Sequence, residues 1–70
     1  MENRTSEIMA KVAEELSYEW KSKMYLIARC TTFFSDVGIV NDFLWHLEKH
    51  NAVERKNEDG MCCYRFKAVL

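Results

Sequence analysis

The spacing of apolar residues changes once along this chain, near Asn51. Up to about residue 50, apolar residues recur every three or four positions, which is the period of helices with one buried face. After that point they alternate with polar residues over short runs, which is the period of β-strands. A chain of 70 residues has room for one small core. We therefore expect residues 1–70 to form a single α+β domain, mostly helical, with three helices followed by a C-terminal β-hairpin.

Residues 6 to about 30 carry the first helical pattern, and Thr5 or Ser6 can cap its start. No glycine or proline interrupts this stretch, so it forms either one long helix or two. Ser17 or Ser22 could cap a second helix, and we expect a break around residues 19–22. The buried stripe of this part is expected to comprise Met9, Val12, Leu16, Trp20, Met24 and Ile27.

The next segment is interpreted as a turn followed by a third helix. Thr31 and Thr32 weaken a helix, and the two phenylalanines that follow are expected to be buried in the turn. Ser35 or Asp36 would then cap a helix that runs to about His50. Its inner face is expected to consist of Val40, Phe43, Leu44 and Leu47.

The last twenty residues predict a hairpin. Asn51 is suited to end the third helix in the left-handed conformation, as glycine often does. Residues 52–56 and 61–67 can be strands, because residues 57–60 read Asn-Glu-Asp-Gly, which favours a turn. On the return strand, Cys62, Tyr64 and Phe66 share one face, and we expect that face to pack on the helices.

Composition excludes several classes of function. The chain is 49% hydrophobic, which is too apolar for a disordered linker, and it has no proline. Ten Lys and Arg against eleven Asp and Glu give a net charge of −1, which disfavours both a strongly basic nucleic-acid binder and an acidic DNA mimic. The longest uncharged run, Cys30 to Ser35, is too short to span a bilayer. The first residues lack the pattern of a signal peptide. An odd number of cysteines favours reduced thiols, so we expect a cytoplasmic protein.

The segment from Phe43 to Arg55 resembles the end of the recognition helix and the start of the wing in the winged helix-turn-helix superfamily. The segment has two leucines three residues apart, Leu44 and Leu47, followed by the polar residues 48–50. Asn51 then stands where members commonly have glycine, and the apolar pair Ala52-Val53 precedes Glu54-Arg55. Asp59-Gly60 is similar to a wing tip, and Tyr64-Arg65-Phe66 to its return strand. The resemblance covers roughly residues 22–67. It implies that the third helix enters the major groove of DNA and that the wing touches the DNA backbone or the minor groove.

Charged and polar side chains only partly fit that expectation. Residues 36–50 contain three acidic residues against Lys49 alone, whereas residues 51–70 carry a small positive excess. Lys21, Lys23 and Arg29 add a basic patch on or before the second helix. We expect weak DNA binding by a regulator or accessory factor, and Asn41 is the best placed residue to read a base edge. The candidate DNA-binding residues are Asn41, His46, Arg55, Lys56, Arg65 and Lys67.

A second interpretation is a module that binds protein, such as a subunit of a complex or an inhibitor from a mobile element. The face of the third helix that points away from its inner stripe carries large apolar and acidic side chains, which suit a protein partner or a homodimer better than phosphates. The candidate interface residues are Asp36, Val37, Asp42 and Trp45. The apolar tail Val69-Leu70 could cover the core or pair with a second subunit.

No catalytic or cofactor motif is present, so we expect neither an enzyme nor a small-molecule substrate. His46 and His50 are four residues apart, a spacing at which two imidazoles can share a metal ion. Completing a structural site would require Cys62 and Cys63. Since neighbouring residues on a strand point to opposite faces, we do not expect a structural metal.

Overall fold

The computed structural model describes residues 3–68. Val69 and Leu70, the predicted apolar tail, lie outside the described residues. The elements in chain order are α1 (Arg4–Glu15), β1 (Lys21–Ser22), α2 (Lys23–Cys30), a 3-10 turn (Phe34–Asp36), α3 (Val37–Lys49), β2 (Val53–Glu58) and β3 (Met61–Phe66). Three helices and an antiparallel hairpin confirm the predicted α+β class and are compatible with a winged-helix shape.

The first helical stretch forms two helices, but the break is longer than predicted. Helix α1 starts at Arg4 and is capped by Asn3, whose side chain accepts a hydrogen bond from the Ser6 amide, so Thr5 and Ser6 are not its caps. The chain leaves the helix after Glu15, and Ser22 caps α2 by accepting from the amide of Tyr25 at 3.0 Å.

The break shifts the buried face of α2 out of phase with that of α1. Leu26 and Cys30 are the buried residues of α2, whereas Met24 is 68% exposed. Trp20 is half-buried at the sheet and does not belong to the buried core. Both were predicted to continue the stripe of α1, and both predictions are wrong because the helix, although not the apolar spacing, is interrupted at residues 16–22.

The turn before α3 is built around a carboxylate and exposes its aromatics. Phe33 and Phe34 were predicted to be buried, but they are 59% and 93% exposed. Asp36 is the buried residue of this turn, and its side chain accepts hydrogen bonds from the amides of Thr32 and Phe33. The carboxylate draws the backbone of the turn inward, and the two phenyl rings point to the outside.

The hairpin is the predicted one, with a tighter turn. Asn51 has a φ of 61°, as expected for a residue that ends a helix in the left-handed conformation. Asp59 and Gly60 form a two-residue loop with φ angles of 53° and 79°, which is the geometry that suits a hairpin. Strand β2 therefore extends to Glu58, and Glu58 pairs with Met61.

Strand β1 is an element that the sequence did not predict. It pairs antiparallel with β3, Lys21 opposite Tyr64 and Ser22 opposite Cys63, which gives the strand order β1-β3-β2. The amide of Phe66 also donates to the carbonyl oxygen of Ser17 at 2.8 Å. The hairpin is thereby joined to the segment between α1 and α2.

The core lies between the three helices and one face of the sheet. Tyr64 is buried and Phe66 and Cys62 are packed at its edge, which confirms the predicted inner face of β3. Within residues 3–68, no helix is long and apolar enough to cross a membrane. The buried residues of the core are Ile8, Val12, Leu16, Leu26, Cys30, Val40, Leu44, Val53 and Tyr64.

Candidate functional site

An open groove runs between α3 and the hairpin of β2 and β3. We refer to this hairpin as the wing and to the groove as the α3–wing groove. Its volume is about 770 Å³. Residues of α2 and α3 form one side, namely Lys23, Asn41, Asp42, Trp45, Glu48 and Lys49. Residues of the strands form the other side, namely Arg55, Cys62 and Tyr64.

The exposed side of α3 borders this groove, and we call its residues Asp42, Trp45, His46 and Lys49 the ridge of α3. Trp45 is 61% exposed, and the Lys49 ammonium lies 4.9 Å from the centre of its ring. Asp42 and His46 are also exposed, while Val37 is half-buried. The predicted outward positions of Asp42, Trp45 and His46 are therefore what the structure shows. Their functional roles remain predictions.

Asp36 does not face outward as predicted. It is only 2% exposed, and Arg4 binds its carboxylate through Nε at 2.9 Å and Nη2 at 2.6 Å. The hydrogen bonds from Arg4 are the largest cause that holds the pKa of Asp36 well below its usual range, and those from the backbone amides add to them. Its role is to fix the turn before α3, and it is not available as an interface residue.

Asn41 lies at the floor of the groove. Its Oδ1 atom is buried and has no hydrogen-bond partner among the described residues. Reading adenine would require both the oxygen and the nitrogen of the amide to reach a base edge. In this conformation the oxygen is turned away from solvent, so the Asn41 side chain would have to rotate to read adenine, and its role stays a prediction.

Three basic residues of the wing are paired with carboxylates. Arg55 contacts Glu48 at 2.9 Å, Lys56 contacts Glu58 at 2.6 Å, and Arg65 contacts Glu54 at 2.9 Å. These pairs lie at the surface, where an ion pair contributes roughly 0–1 kcal/mol. A phosphate could therefore replace the carboxylate partner at small cost.

The predicted DNA-binding cations do not share one surface. Arg55 is opposite the buried Tyr64 and faces the groove. Lys56 and Arg65 lie on the other face of the sheet, where Lys56 Nζ is 4.7 Å and Arg65 Cζ is 4.4 Å from the centre of the Trp20 ring. Lys67 follows β3 and is exposed. Alternation along the strands separates these cations, since successive side chains point to opposite faces.

Two further cations line the groove. Lys49, one turn after Trp45 on α3, was not among the predicted site residues, whereas Lys23, the first residue of α2, was predicted only as part of a basic patch. Neither has a carboxylate partner within 4.0 Å in the described part of the chain. The i to i+4 spacing of Trp45 and Lys49 was readable in the sequence. The position of Lys23 beside α3 was not, because it depends on how α2 packs.

The thiols are free, and Cys30 is buried while Cys62 and Cys63 are partly exposed. Burial raises the pKa of the Cys30 thiol. The Cys62 thiol lies 3.0 Å from Asn57 Oδ1. Between residues 3 and 68, no three His, Cys, Asp or Glu side chains are grouped so that they could hold one metal ion.

No protein family matches this chain. No curated protein matches it. No solved structure matches it.

Proposed function

We propose that this protein is a winged-helix protein that binds double-stranded DNA, with α3 toward the major groove and the wing beside it. The observation that carries this proposal is the α3–wing groove. In this groove an exposed helix ridge lies next to a hairpin, and the cations Lys23, Lys49 and Arg55 line its sides. A B-DNA major groove is wide enough to admit such a helix.

The charges of the groove limit the affinity. Lys23, Lys49 and Arg55 are opposed by Asp42 and Glu48, and the whole chain has a net charge of −1. Affinity for DNA depends on how many phosphates are neutralised. We expect salt-sensitive binding with a Kd of roughly 1 μM or weaker, typical of non-specific contacts.

Sequence discrimination would come from few side chains. Asp42 and His46 are exposed on α3, and Asp42 can accept a hydrogen bond from cytosine N4. Asn41, the best predicted reader of adenine, has its amide oxygen buried in this conformation and would have to rotate to reach a base. A weak preference among DNA sequences is therefore expected.

Free thiols support a reducing compartment, and we place the protein in the cytoplasm.

Fluorescence anisotropy with a labelled duplex, measured at several salt concentrations, tests the proposal. Lys49→Gln should weaken binding and reduce the slope of log Kd against log salt by about 0.9, the value expected for one lost phosphate contact. Lys11→Gln is the matched control, because Lys11 is an exposed lysine of α1 and does not line the groove. Absence of binding at low salt, or equal effects of the two substitutions, would refute this mode of DNA binding.

A second candidate function is binding to a protein through the same ridge. Trp45 favours it, because a tryptophan that is 61% exposed at the centre of the ridge is suited to anchor an interface. If a second copy is the partner, sedimentation should detect a dimer, and Trp45→Ala should convert it to a monomer. In that case Lys49→Gln should leave the monomer–dimer equilibrium nearly unchanged. Thermal unfolding of Trp45→Ala must stay close to that of the native chain for this comparison to be valid.

A further inference from the structure

The two histidines of the chain lie one turn apart at the end of α3. His46 is in the last turn of the helix and His50 is its C-cap, and both are exposed. Their ring centres are 4.3 Å apart, with an angle of 55° between the ring planes. The amide of His50 donates to the carbonyl oxygen of His46 at 3.1 Å, so the backbone fixes the spacing of the two side chains.

This spacing fits two nitrogen ligands on one metal ion. Zinc binds imidazole nitrogen at about 2.0–2.1 Å, so two such nitrogens at a tetrahedral ion are about 3.3 Å apart. Rings with centres 4.3 Å apart can bring one nitrogen each to that separation by side-chain rotation alone. No movement of the helix is needed.

The position on the helix also favours a cation. The C-terminal end of a helix carries partial negative charge because the peptide dipoles are aligned along the axis. Asp42, one turn before His46, adds a carboxylate on the same side, and Lys49 is the opposing charge nearest in sequence. The cation would be in contact with solvent, so these charges have a modest effect.

We propose that His46 and His50 form a bidentate surface site for a divalent transition-metal ion such as Zn²⁺, Ni²⁺ or Cu²⁺. Imidazole suits these ions, whereas Mg²⁺ and Ca²⁺ require oxygen ligands. Since no third His, Cys, Asp or Glu of the described residues completes the site, water or a second copy of the chain supplies the remaining ligands. The ion exchanges readily and does not hold the fold together. This inference does not rest on the proposed DNA binding, but His46 belongs to both surfaces, so a bound ion would lie beside the face of α3 that is proposed to meet DNA.

Nuclear magnetic resonance of the imidazole C–H signals tests the site directly, because the chain has only two histidines. Adding ZnCl₂ near pH 7.5 should shift or broaden the signals of both rings in parallel, while MgCl₂ should leave them unchanged. His46→Gln and His50→Gln should each weaken Zn²⁺ binding about tenfold or more, since the second ligand then no longer acts at high effective concentration.

The thiols require a separate control, since they also bind zinc. The double variant Cys62→Ser with Cys63→Ser should keep the parallel response of the two rings. A metal-bridged dimer in sedimentation would support the proposal as well as a 1:1 complex would, provided that it requires both histidines. The proposal is overturned if about 1 mM Zn²⁺ moves neither ring, if only one ring responds, or if the cysteine variant loses the response.

Discussion

The Arg4 guanidinium donates two hydrogen bonds to the Asp36 carboxylate, across 32 positions of the sequence. This contact joins the first residue of α1 to the turn that precedes α3. The Asp36 side chain is almost fully buried, whereas Arg4 is about half exposed and its guanidinium also lies 4.8 Å from the centre of the Phe33 ring. Arg4 therefore covers a charge that would otherwise be buried without a counter-ion.

The lowered pKa of Asp36 predicts a loss of stability in acid. A carboxylate whose pKa is lower in the folded state stabilises the fold above its unfolded pKa, and this contribution disappears as the pH falls toward the folded pKa. The midpoint of urea unfolding should be nearly constant around neutral pH and should fall progressively below about pH 4, the usual range for an aspartate. Asp36→Asn should be destabilised at pH 7 and should lose less stability on acidification. Asp42→Asn, which alters an exposed carboxylate, should leave the free energy of unfolding at pH 7 within about 0.5 kcal/mol of that of the native chain.

The two glycines should respond to alanine with opposite signs. Gly38 lies in the first turns of α3, and a Cβ there would meet no atom within 4 Å, so Gly38→Ala should raise the free energy of unfolding by about 0.5 kcal/mol. Gly60 has a φ of 79° at the hairpin loop, so Gly60→Ala should lower the free energy of unfolding by about 1 kcal/mol. Urea unfolding of both variants checks this. If the two substitutions changed the free energy of unfolding in the same direction, the described backbone would be contradicted.

The exposed aromatics of the turn should be dispensable for folding. Phe34 is 93% exposed, so Phe34→Ser should change the free energy of unfolding by no more than about 0.5 kcal/mol. Leu26 is fully buried between the helices, and Leu26→Ala should cost about 2–5 kcal/mol. Thermal unfolding monitored by circular dichroism compares them. A large loss in Phe34→Ser would mean that the ring is buried after all.

The thiols should differ in their reactivity. Cys30 is 2% exposed, and burial raises its pKa, so little thiolate is present at neutral pH and access is restricted. A thiol reagent should modify Cys62 and Cys63 first in the native protein, and Cys30 only after unfolding. Mass spectrometry of the labelled peptides gives the order, and early labelling of Cys30 would contradict it.

Local signals in the sequence predicted most of the fold. The i, i+3 and i+4 spacing of apolar residues around Val40 and Leu44 predicted α3. The turn residues Asp59-Gly60, with apolar and polar residues alternating on both sides, predicted the hairpin. Asn51 marked the end of α3 because asparagine tolerates a positive φ. Each of these signals lies within a few residues of the feature that it determines.

The errors came from contacts between distant residues. Strand β1 is two residues long and exists through its pairing with β3, so no local pattern predicts it. The burial of Asp36 depends on Arg4, and this in turn places Phe33 and Phe34 outside. At the candidate site, the outward positions of Trp45 and Asp42 followed from helical spacing. Helical spacing did not predict the position of Lys23 at the groove or the burial of the Asn41 oxygen, because both depend on how the helices pack.

The central position of β3 in the sheet affects how the chain folds. Lys21 pairs with Tyr64, so forming β1 closes a loop of about forty residues, which carries an entropic cost and slows folding. We therefore expect β1 to pair with β3 late, after the helices have begun to pack, whereas the local hairpin of β2 and β3 closes only a short loop. A chain cut before β3 would lose the hairpin, the only strand partner of β1 in the described part of the chain, and Tyr64 from the core. The wing is consequently part of the folding unit, and it cannot be removed like an independent attachment.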